Sequence, residues 1–147
     1  MTEPLAFAGR CHCGNLEARF ESRRRPDELF VRRCACSFCR RHGARYVSDP
    51  EGGLRIRVGD PAKLTRYRFG HKTADFLICG HCGVFLGAVM TVDGASSAVI
   101  NVNSFEESEA FGAEPASFDY DAEDETQRLA RRAARWTPVV AFIEGSN

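Results

Sequence analysis

Seven cysteines in three tight groups constrain this chain more than any other feature of its sequence. Each cysteine lies within three positions of another, and the groups are Cys11 with Cys13, the trio Cys34, Cys36 and Cys39, and Cys79 with Cys82. A disulfide framework more often uses an even number of cysteines, whereas two thiolates a few residues apart can converge on one metal ion. The grouping therefore predicts zinc sites, with redox thiols or an iron–sulfur cluster on the middle group as the alternatives.

Seven ligands divide into one closed site of four and one open site of three, because a structural zinc takes four ligands and a catalytic zinc keeps a position open. Spacing alone does not assign the groups. The economical division joins the two distant pairs in a structural site and leaves the trio as the catalytic site, so we expect two zinc ions per chain. A histidine could instead complete the second site, with His42 and His12 as the candidates.

The hydropathy pattern predicts a mainly β protein, and 147 residues are enough for a single domain over residues 1–147. Half-buried strands are predicted where apolar and polar residues alternate, at 16–21, 54–58 and 66–69. Strands buried on both faces are predicted from unbroken apolar runs, at 76–79, 84–90 and 98–102. A short helical turn is expected over 37–43, and an acidic loop that could cover the site is expected over 104–124.

One C-terminal helix is predicted, with Asp124 as its N-cap, Gln127 three residues later and Pro138 ending it. The apolar face of this helix is expected to consist of Leu129, Ala130, Ala133 and Trp136. The opposite face carries four arginines, Arg128, Arg131, Arg132 and Arg135. Such a stripe could bind an anion, but the sequence favours a solvated face for it.

The charges balance overall but not along the chain. There are 20 basic and 20 acidic residues, and residues 1–72 have a balance of +8 while residues 73–147 have −8. Net neutrality without a long basic tail argues against nucleic-acid binding. No apolar run reaches the ~18 residues of a membrane span. The first ten residues do not read as a signal peptide, so we expect a cytoplasmic protein with reduced thiols.

The cysteine motifs resemble those of the glutathione-dependent formaldehyde-activating family, also called the centromere-protein-V type. The order and spacing of all seven cysteines agree with that family, and the resemblance extends over nearly the whole chain. Its motifs are Gly9-Arg10-Cys11-His12-Cys13-Gly14, Cys34-Ala35-Cys36-Ser37-Phe38-Cys39-Arg40-Arg41 and Cys79-Gly80-His81-Cys82-Gly83. The segments 69–76, 101–103 and 135–139 are similar to a bacterial subgroup of aldehyde-activating proteins.

The resemblance implies the Mss4-like β-tent fold, in which twisted antiparallel sheets are pinned by zinc. It also implies that the structural zinc is held by Cys11, Cys13, Cys79 and Cys82. The catalytic zinc would be held by Cys34, Cys36 and Cys39. The founding activity of the family is that of a carbon–sulfur lyase, and it joins glutathione to formaldehyde to give S-(hydroxymethyl)glutathione.

An open zinc with three thiolates favours a fourth thiolate over harder ligands, and metal binding deprotonates a thiol so that it could add to an aldehyde. Four arginines next to the trio are predicted to bind substrate carboxylates: Arg40 and Arg41, and also Arg32 and Arg33. His42 is predicted to transfer a proton during the reaction. We therefore expect an S-(hydroxymethyl)glutathione synthase-like lyase that acts on a small acidic thiol and an aldehyde. The alternative is a zinc-binding interaction module or a thiol or metal sensor.

Overall fold

The computed structural model describes residues 3–112 and 116–145, which are built mainly from strands. The strands are β1 (Leu5–Arg10), β2 (Leu16–Ser22), β3 (Arg32–Cys34), β4 (Tyr46–Val47), β5 (Gly53–Val58), β6 (Leu64–Tyr67), β7 (Asp75–Cys79), β8 (Phe85–Val92), β9 (Ala95–Asn101), β10 (Ala116–Phe118) and β11 (Thr137–Glu144). The α-helices of these residues are α1 (Ser37–His42) and α2 (Glu125–Arg135). Neither has the length and apolar character needed to cross a bilayer. The predicted mainly β architecture with a C-terminal helix is confirmed.

The strands form one twisted sheet of mixed direction. Its main path runs β1-β2-β5-β11-β9-β4-β3-β10, and β8, β7 and β6 continue from β9 as a branch. Most neighbours are antiparallel, but β11 runs parallel to β5 and β10 runs parallel to β3. Parallel neighbours need a crossover connection rather than a tight turn, and the partners in both pairs lie far apart in the chain. The twisted sheet agrees with the β-tent that the resemblance implies.

Every segment with a predicted strand pattern overlaps a strand. The alternation in β2 becomes an alternation of buried and largely exposed side chains, and the first six residues of β8 are all buried. The pattern does not indicate β1 or β11. It also misses β3, β4 and β10, which have only three, two and three residues. Strands that short cannot show a period. Within the predicted acidic loop, residues 113–115 lie outside the described part of the chain.

The ends of α2 agree with the sequence prediction. Asp124 Oδ1 accepts a hydrogen bond from the Gln127 amide at 2.7 Å, and the Gln127 side chain accepts one from the Asp124 amide at 3.0 Å. Trp136 leaves the helix with an extended backbone, and Pro138 lies in β11 just after it. This reciprocal capping fixes where the helix begins.

The predicted faces of α2 are correct only in part. Trp136 is buried and Leu129 packs against the core, as expected, but the rest of the apolar face and the solvated arginine face are wrong. Ala130 and Ala133 are exposed, whereas Arg128 and Arg131 are half-buried and Arg132 is only 7% exposed. The helix packs its arginine side over the region of the cysteine trio, so three of the four arginines are taken out of water. Ala130 and Ala133 have small side chains, and they are too weak an apolar signal to orient that side of the helix against such polar contacts.

Buried apolar side chains form two clusters, and each includes part of a cysteine group. The larger cluster contains Cys11 and Cys79. The smaller one contains Cys39, with Tyr46 and Trp136 beside it. Each group of cysteines therefore lies against a packed core, which holds its sulfur atoms in place.

Candidate metal centres

Four cysteines from two distant turns meet at the first candidate centre. Cys11 follows β1 and Cys79 ends β7, and each turn adds a second cysteine, Cys13 or Cys82. The four sulfur atoms all lie within 4.8 Å of one another. This arrangement agrees with the division in which the two distant pairs share one site and the trio forms another.

The two turns share a local geometry. Cys11 O accepts a hydrogen bond from Gly14 N at 3.1 Å, and Cys79 O accepts one from Gly83 N at 2.9 Å. Gly14 and Gly83 have φ angles of +85° and +84°, a region that side chains with a Cβ rarely adopt. The Leu16 amide also donates to Cys11 Sγ at 3.2 Å. Glycine lets each turn close so that both of its sulfurs point the same way.

The spacing of the sulfur atoms fits a tetrahedral zinc. Cys13 Sγ lies 3.7 Å from Cys11 Sγ and 3.6 Å from Cys79 Sγ. Zinc–sulfur bonds of ~2.3 Å in a tetrahedron place neighbouring sulfurs about 3.8 Å apart. A disulfide needs about 2.05 Å, and the seven cysteines are all free thiols.

The ionisation of this group also favours a cation. Burial raises the pKa of the Cys11 thiol to about 12. Burial acts to raise the pKa of Cys82 as well, but hydrogen bonds from the Val84 and Cys13 backbone and from neighbouring thiols lower it to about 6. Crowded sulfurs share little negative charge unless a positive ion offsets it. A divalent ion would allow all four to bind as thiolates.

The second candidate centre is local in sequence. Cys34 ends β3, Cys36 is the N-cap of α1, and Cys39 is the buried residue of that helix. Cys36 Sγ accepts a hydrogen bond from Cys39 N at 3.4 Å. Among the described residues, no further His, Cys, Asp or Glu joins this trio within 4.8 Å. The chain thus offers three sulfurs and leaves the fourth position of a tetrahedral ion to another ligand.

Close packing of the trio has a strong effect on its protons. Hydrogen bonds from Cys34 and Cys39 lower the pKa of Cys36 to about 2. The pKa values of Cys34 and Cys39 are raised, in both cases chiefly by the hydrogen bonds that they give to neighbouring sulfurs. Sulfurs packed this closely resist ionising together unless a cation offsets their charge. A soft divalent ion such as zinc fits this donor set.

A tyrosine that sequence reasoning missed lies directly on the trio. The Tyr46 hydroxyl lies 2.9 Å from Cys39 Sγ, and the tyrosine side chain is buried. Burial, together with the nearby Cys39, raises the pKa of Tyr46 well above its ordinary value. The hydroxyl therefore keeps its proton and can donate it in a hydrogen bond to the sulfur. Nothing in the local sequence marks Tyr46, which is seven residues from Cys39 and on a different element.

A cavity of about 60 Å³ lies beside the trio. It has both apolar and cationic walls, and residues of α2 form part of its lining. It is lined by Arg32, Cys34, Cys39, Tyr46, Phe76, Ala88, Val99, Tyr120, Arg131, Arg132 and Trp136. Two cysteines of the trio, Cys34 and Cys39, therefore adjoin a small pocket.

Two of the arginines that line the cavity, Arg32 and Arg132, are buried. Arg32 Nη2 donates to Ser48 Oγ at 2.9 Å, and burial lowers the Arg32 pKa. Arg132 Nη1 donates to Thr73 Oγ1 at 2.7 Å, and its guanidinium lies 4.7 Å from the centre of the Trp136 ring. Burial lowers the pKa of Arg132 to about 10, so this side chain is still charged at neutral pH.

The third arginine that lines the cavity, Arg131, already forms an ion pair with Glu123. Arg131 donates to Glu123 from Nε at 2.8 Å and from Nη2 at 3.0 Å. Its guanidinium also lies 3.7 Å from the centre of the Tyr120 ring, and Arg128 Nη2 donates to Tyr120 O at 2.9 Å. These contacts fasten the segment before α2 to the helix and close one side of the cavity.

Of the residues predicted to bind substrate, Arg32 lines the cavity, whereas Arg33 is exposed and does not line it. Arg40, Arg41 and His42 are exposed on α1, and none of them is among the lining residues. The His42 ring lies 4.5 Å from the Phe38 ring and 5.3 Å from that of the buried Phe85. His12 is exposed next to the first centre, and neither histidine belongs to a candidate metal group. The arginines nearest to the open side are those of β3 and α2.

A sequence model of the family described as glutathione-dependent formaldehyde-activating enzyme matches residues 6–120. Helix α2 lies beyond that range. Among solved structures, a crystal structure of a Rhodobacter sphaeroides protein is 31% identical, covering 76% of this chain and 99% of that one with a TM-score of 0.54. A comparison with curated proteins finds no match.

Proposed function

This chain belongs to the glutathione-dependent formaldehyde-activating enzyme family, and on that premise we propose that it forms or breaks adducts between a small acidic thiol and an aldehyde. The family supports action on glutathione and formaldehyde in general. The carbon–sulfur lyase class and the site of reaction, at Cys34, Cys36 and Cys39, are our proposal. The observation that carries it is a trio of converging thiols that has no fourth ligand within the described residues and faces a cavity.

Zinc is the proposed metal at both centres, with two ions per chain. Cys11, Cys13, Cys79 and Cys82 would hold a structural ion, and the trio would hold a catalytic one. When bound to the trio, zinc would supply a Lewis acid that lowers the pKa of a substrate thiol. Cytoplasmic reducing conditions would keep the seven cysteines available as ligands, and we place the protein there.

The reaction itself is an addition. The thiol sulfur forms a bond to the aldehyde carbon, the electron pair of the C=O π bond moves to oxygen, and the thiol proton ends on that oxygen as a hydroxyl. The reverse reaction returns the thiol and the aldehyde, so atoms and charge balance in both directions. The chain contributes a hydrogen bond from Tyr46 to Cys39, which holds that sulfur in place. Phe76 and Trp136 form apolar walls that exclude water from the reacting groups.

The exposed residues next to the trio remain predictions. A thiol as long as glutathione extends beyond a cavity of about 60 Å³. Arg40 and Arg41, on the surface of α1, are proposed to bind carboxylates in the part that lies outside. His42 is proposed to exchange the proton with solvent at the same surface.

Turnover of a thiol and an aldehyde tests the proposal. Zinc-loaded protein is mixed with glutathione and ¹³C-formaldehyde, and exchange between free aldehyde and the S-hydroxymethyl adduct is followed by NMR. The expected result is exchange well above the rate in buffer, and its loss in a Cys36→Ser protein that stays folded. Exchange at the buffer rate would exclude the lyase, and zinc release under mild oxidant would then favour a sensor.

A further inference from the structure

We propose that the cavity beside the trio is a subsite for a short carboxylate, which Arg32 and Arg132 bind. The preferred substrate then carries its carboxylate within a few bonds of the reacting sulfur or carbonyl carbon, as a mercapto acid or an aldehyde acid does. This inference rests on the proposed function, because it identifies which substrates suit that site.

The hydrogen bonding of Arg132 points to a missing acceptor. The residue is 7% exposed, its Nη1 donates to Thr73, and its Nε is buried without an acceptor among the described residues. A buried donor without a partner is unusual in a folded protein and calls for a water, an ion or a ligand. A carboxylate offers two oxygens in the geometry that a guanidinium matches.

The local charges also leave room for an anion. Arg131 is paired with Glu123 at 2.8 Å, so that carboxylate is taken. Arg32 and Arg132 line the cavity without a carboxylate partner among the described ion pairs. Three thiolates on a divalent ion have a net charge of −1, which offsets one of these two guanidinium groups. The second positive charge is left for a ligand.

The size of the cavity sets the length of that ligand. Cys34, Cys39, Arg32 and Arg132 all line one space of about 60 Å³. By the same measure a cavity that holds one water needs about 10–15 Å³, so the space accepts a group of a few heavy atoms. A carboxylate that reaches the arginines is therefore close to whatever reacts at the trio.

The family match does not assign this subsite. Arg132 belongs to α2, which lies beyond the matched residues 6–120. Arg32 lies within them, and it lines the same cavity as Arg132 because α2 packs there. The competing explanation is that both arginines merely neutralise the thiolates.

Matched ligand pairs distinguish these explanations. Zinc-loaded protein is titrated calorimetrically with mercaptoacetate against 2-mercaptoethanol, and with glyoxylate against glycolaldehyde. The acid of at least one pair should bind about 10-fold or more tightly than its neutral partner, since a charged hydrogen-bonded pair is being formed. A gap in the thiol pair places the carboxylate on the thiol, and a gap in the aldehyde pair places it on the aldehyde. No gap in either pair overturns the proposal.

Variants assign the effect to a residue. The gap should vanish in Arg132→Met and persist in Arg135→Met, a matched control because Arg135 is exposed on the same helix and does not line the cavity. Arg132→Lys keeps a charge but loses the planar fork, so it should show a reduced gap, and it serves if the Met variant does not fold. An undiminished gap in either Arg132 variant overturns the proposal. Absence of adduct turnover with the gap intact would remove the proposed function and leave the subsite.

Discussion

Single buried polar side chains decide the chemistry around the trio. Tyr46 is buried, so its hydroxyl needs a hydrogen-bond partner inside the protein. The partner is Cys39 Sγ, at 2.9 Å. Hydrogen bonds of this kind orient metal ligands and adjust how strongly they bind. Tyr46 therefore couples the core to the candidate metal centre through one contact.

Tyr46→Phe should weaken zinc binding at the second centre while the fold is kept. The change removes only the hydroxyl, and loss of such a partner costs about 10–100-fold in metal affinity. Competition with a chromogenic chelator measures the two zinc affinities separately if they differ. Tyr67→Phe is the control, because Tyr67 is 46% exposed. Equal affinities in both variants would show that the hydroxyl does not act on the metal site.

Glu123 is a second residue of this kind, and its contribution to the stability of the folded protein depends on pH. Hydrogen bonds from Arg131 hold the Glu123 pKa below its ordinary value. A carboxyl group whose pKa is lowered on folding stabilises the folded state above its unfolded pKa, and this stabilisation is lost as pH falls through the folded pKa.

Glu123→Gln should therefore lower the free energy of unfolding at pH 7, by about 1–2 kcal/mol for a charged hydrogen-bonded pair that is mostly buried. The difference from the original protein should persist down to the unfolded pKa of about 4.3 and shrink as pH falls below it. Urea unfolding in excess zinc at several pH values measures it. Glu125→Gln, at an exposed position in the first turn of α2, should show little change. A pH-independent difference would mean that the ion pair is not its source.

At the scale of elements, β3 and α1 form a compact metal-binding unit. Cys36 begins α1 by accepting the Cys39 amide, and Gly43 ends the helix with a φ of +61°. The three sulfurs thus come from six residues of chain, and a metal there closes only short loops. Short loops contribute little conformational order to the rest of the molecule.

Cys36→Ser should give a folded protein that has lost one metal. Serine can still accept the Cys39 amide as an N-cap, so α1 is preserved while a soft ligand is lost. Metal analysis should fall from about two zinc ions per chain to about one, with a small change in melting temperature. Retention of both metals, or loss of both, would contradict the division into sites of four and three.

At the scale of the whole molecule, the first centre joins two turns that are far apart in the sequence, the one after β1 and the one after β7. Cys13 and Cys79 are 66 residues apart, and their sulfurs are 3.6 Å apart. The turn after β1, at one end of the main sheet path, is thereby tied to the turn between β7 and β8 on the branch. A metal ion at this point closes a long loop and pins the branch to the main sheet.

Cys79→Ser should unfold the protein. Structural zinc contributes on the order of 10 kcal/mol in small zinc domains, which is comparable with the whole stability of a typical domain at about 5–15 kcal/mol. Circular dichroism and thermal melting would show loss of a cooperative transition, whereas Cys36→Ser provides the folded counterpart. An unchanged melting curve would contradict the assignment of a structural ion to Cys11, Cys13, Cys79 and Cys82.

Local patterns explain what could be predicted. Strands such as β2 and β8 follow from whether apolar residues alternate, and the start of α2 follows from Asp124 and Gln127. The grouping of the cysteines indicates the division into four and three, since neighbouring thiols must share a metal. These features depend on residues within a few positions of one another, so a single sequence contains them.

Only the tertiary structure decided which side chains surround the open trio. Arg32 and Arg132 are 100 positions apart in the sequence, and Tyr46 reaches Cys39 from another element. Strand β11 comes directly after α2 in the chain and pairs in parallel with the distant β5. This pairing is part of the same long-range packing. The sequence pointed to Arg32, Arg33, Arg40 and Arg41 because they are close to the trio in the chain. Of these four only Arg32 lines the cavity, because closeness in sequence does not fix which way a side chain faces. A cavity is made where distant segments pack, and its lining is therefore a property of the folded molecule.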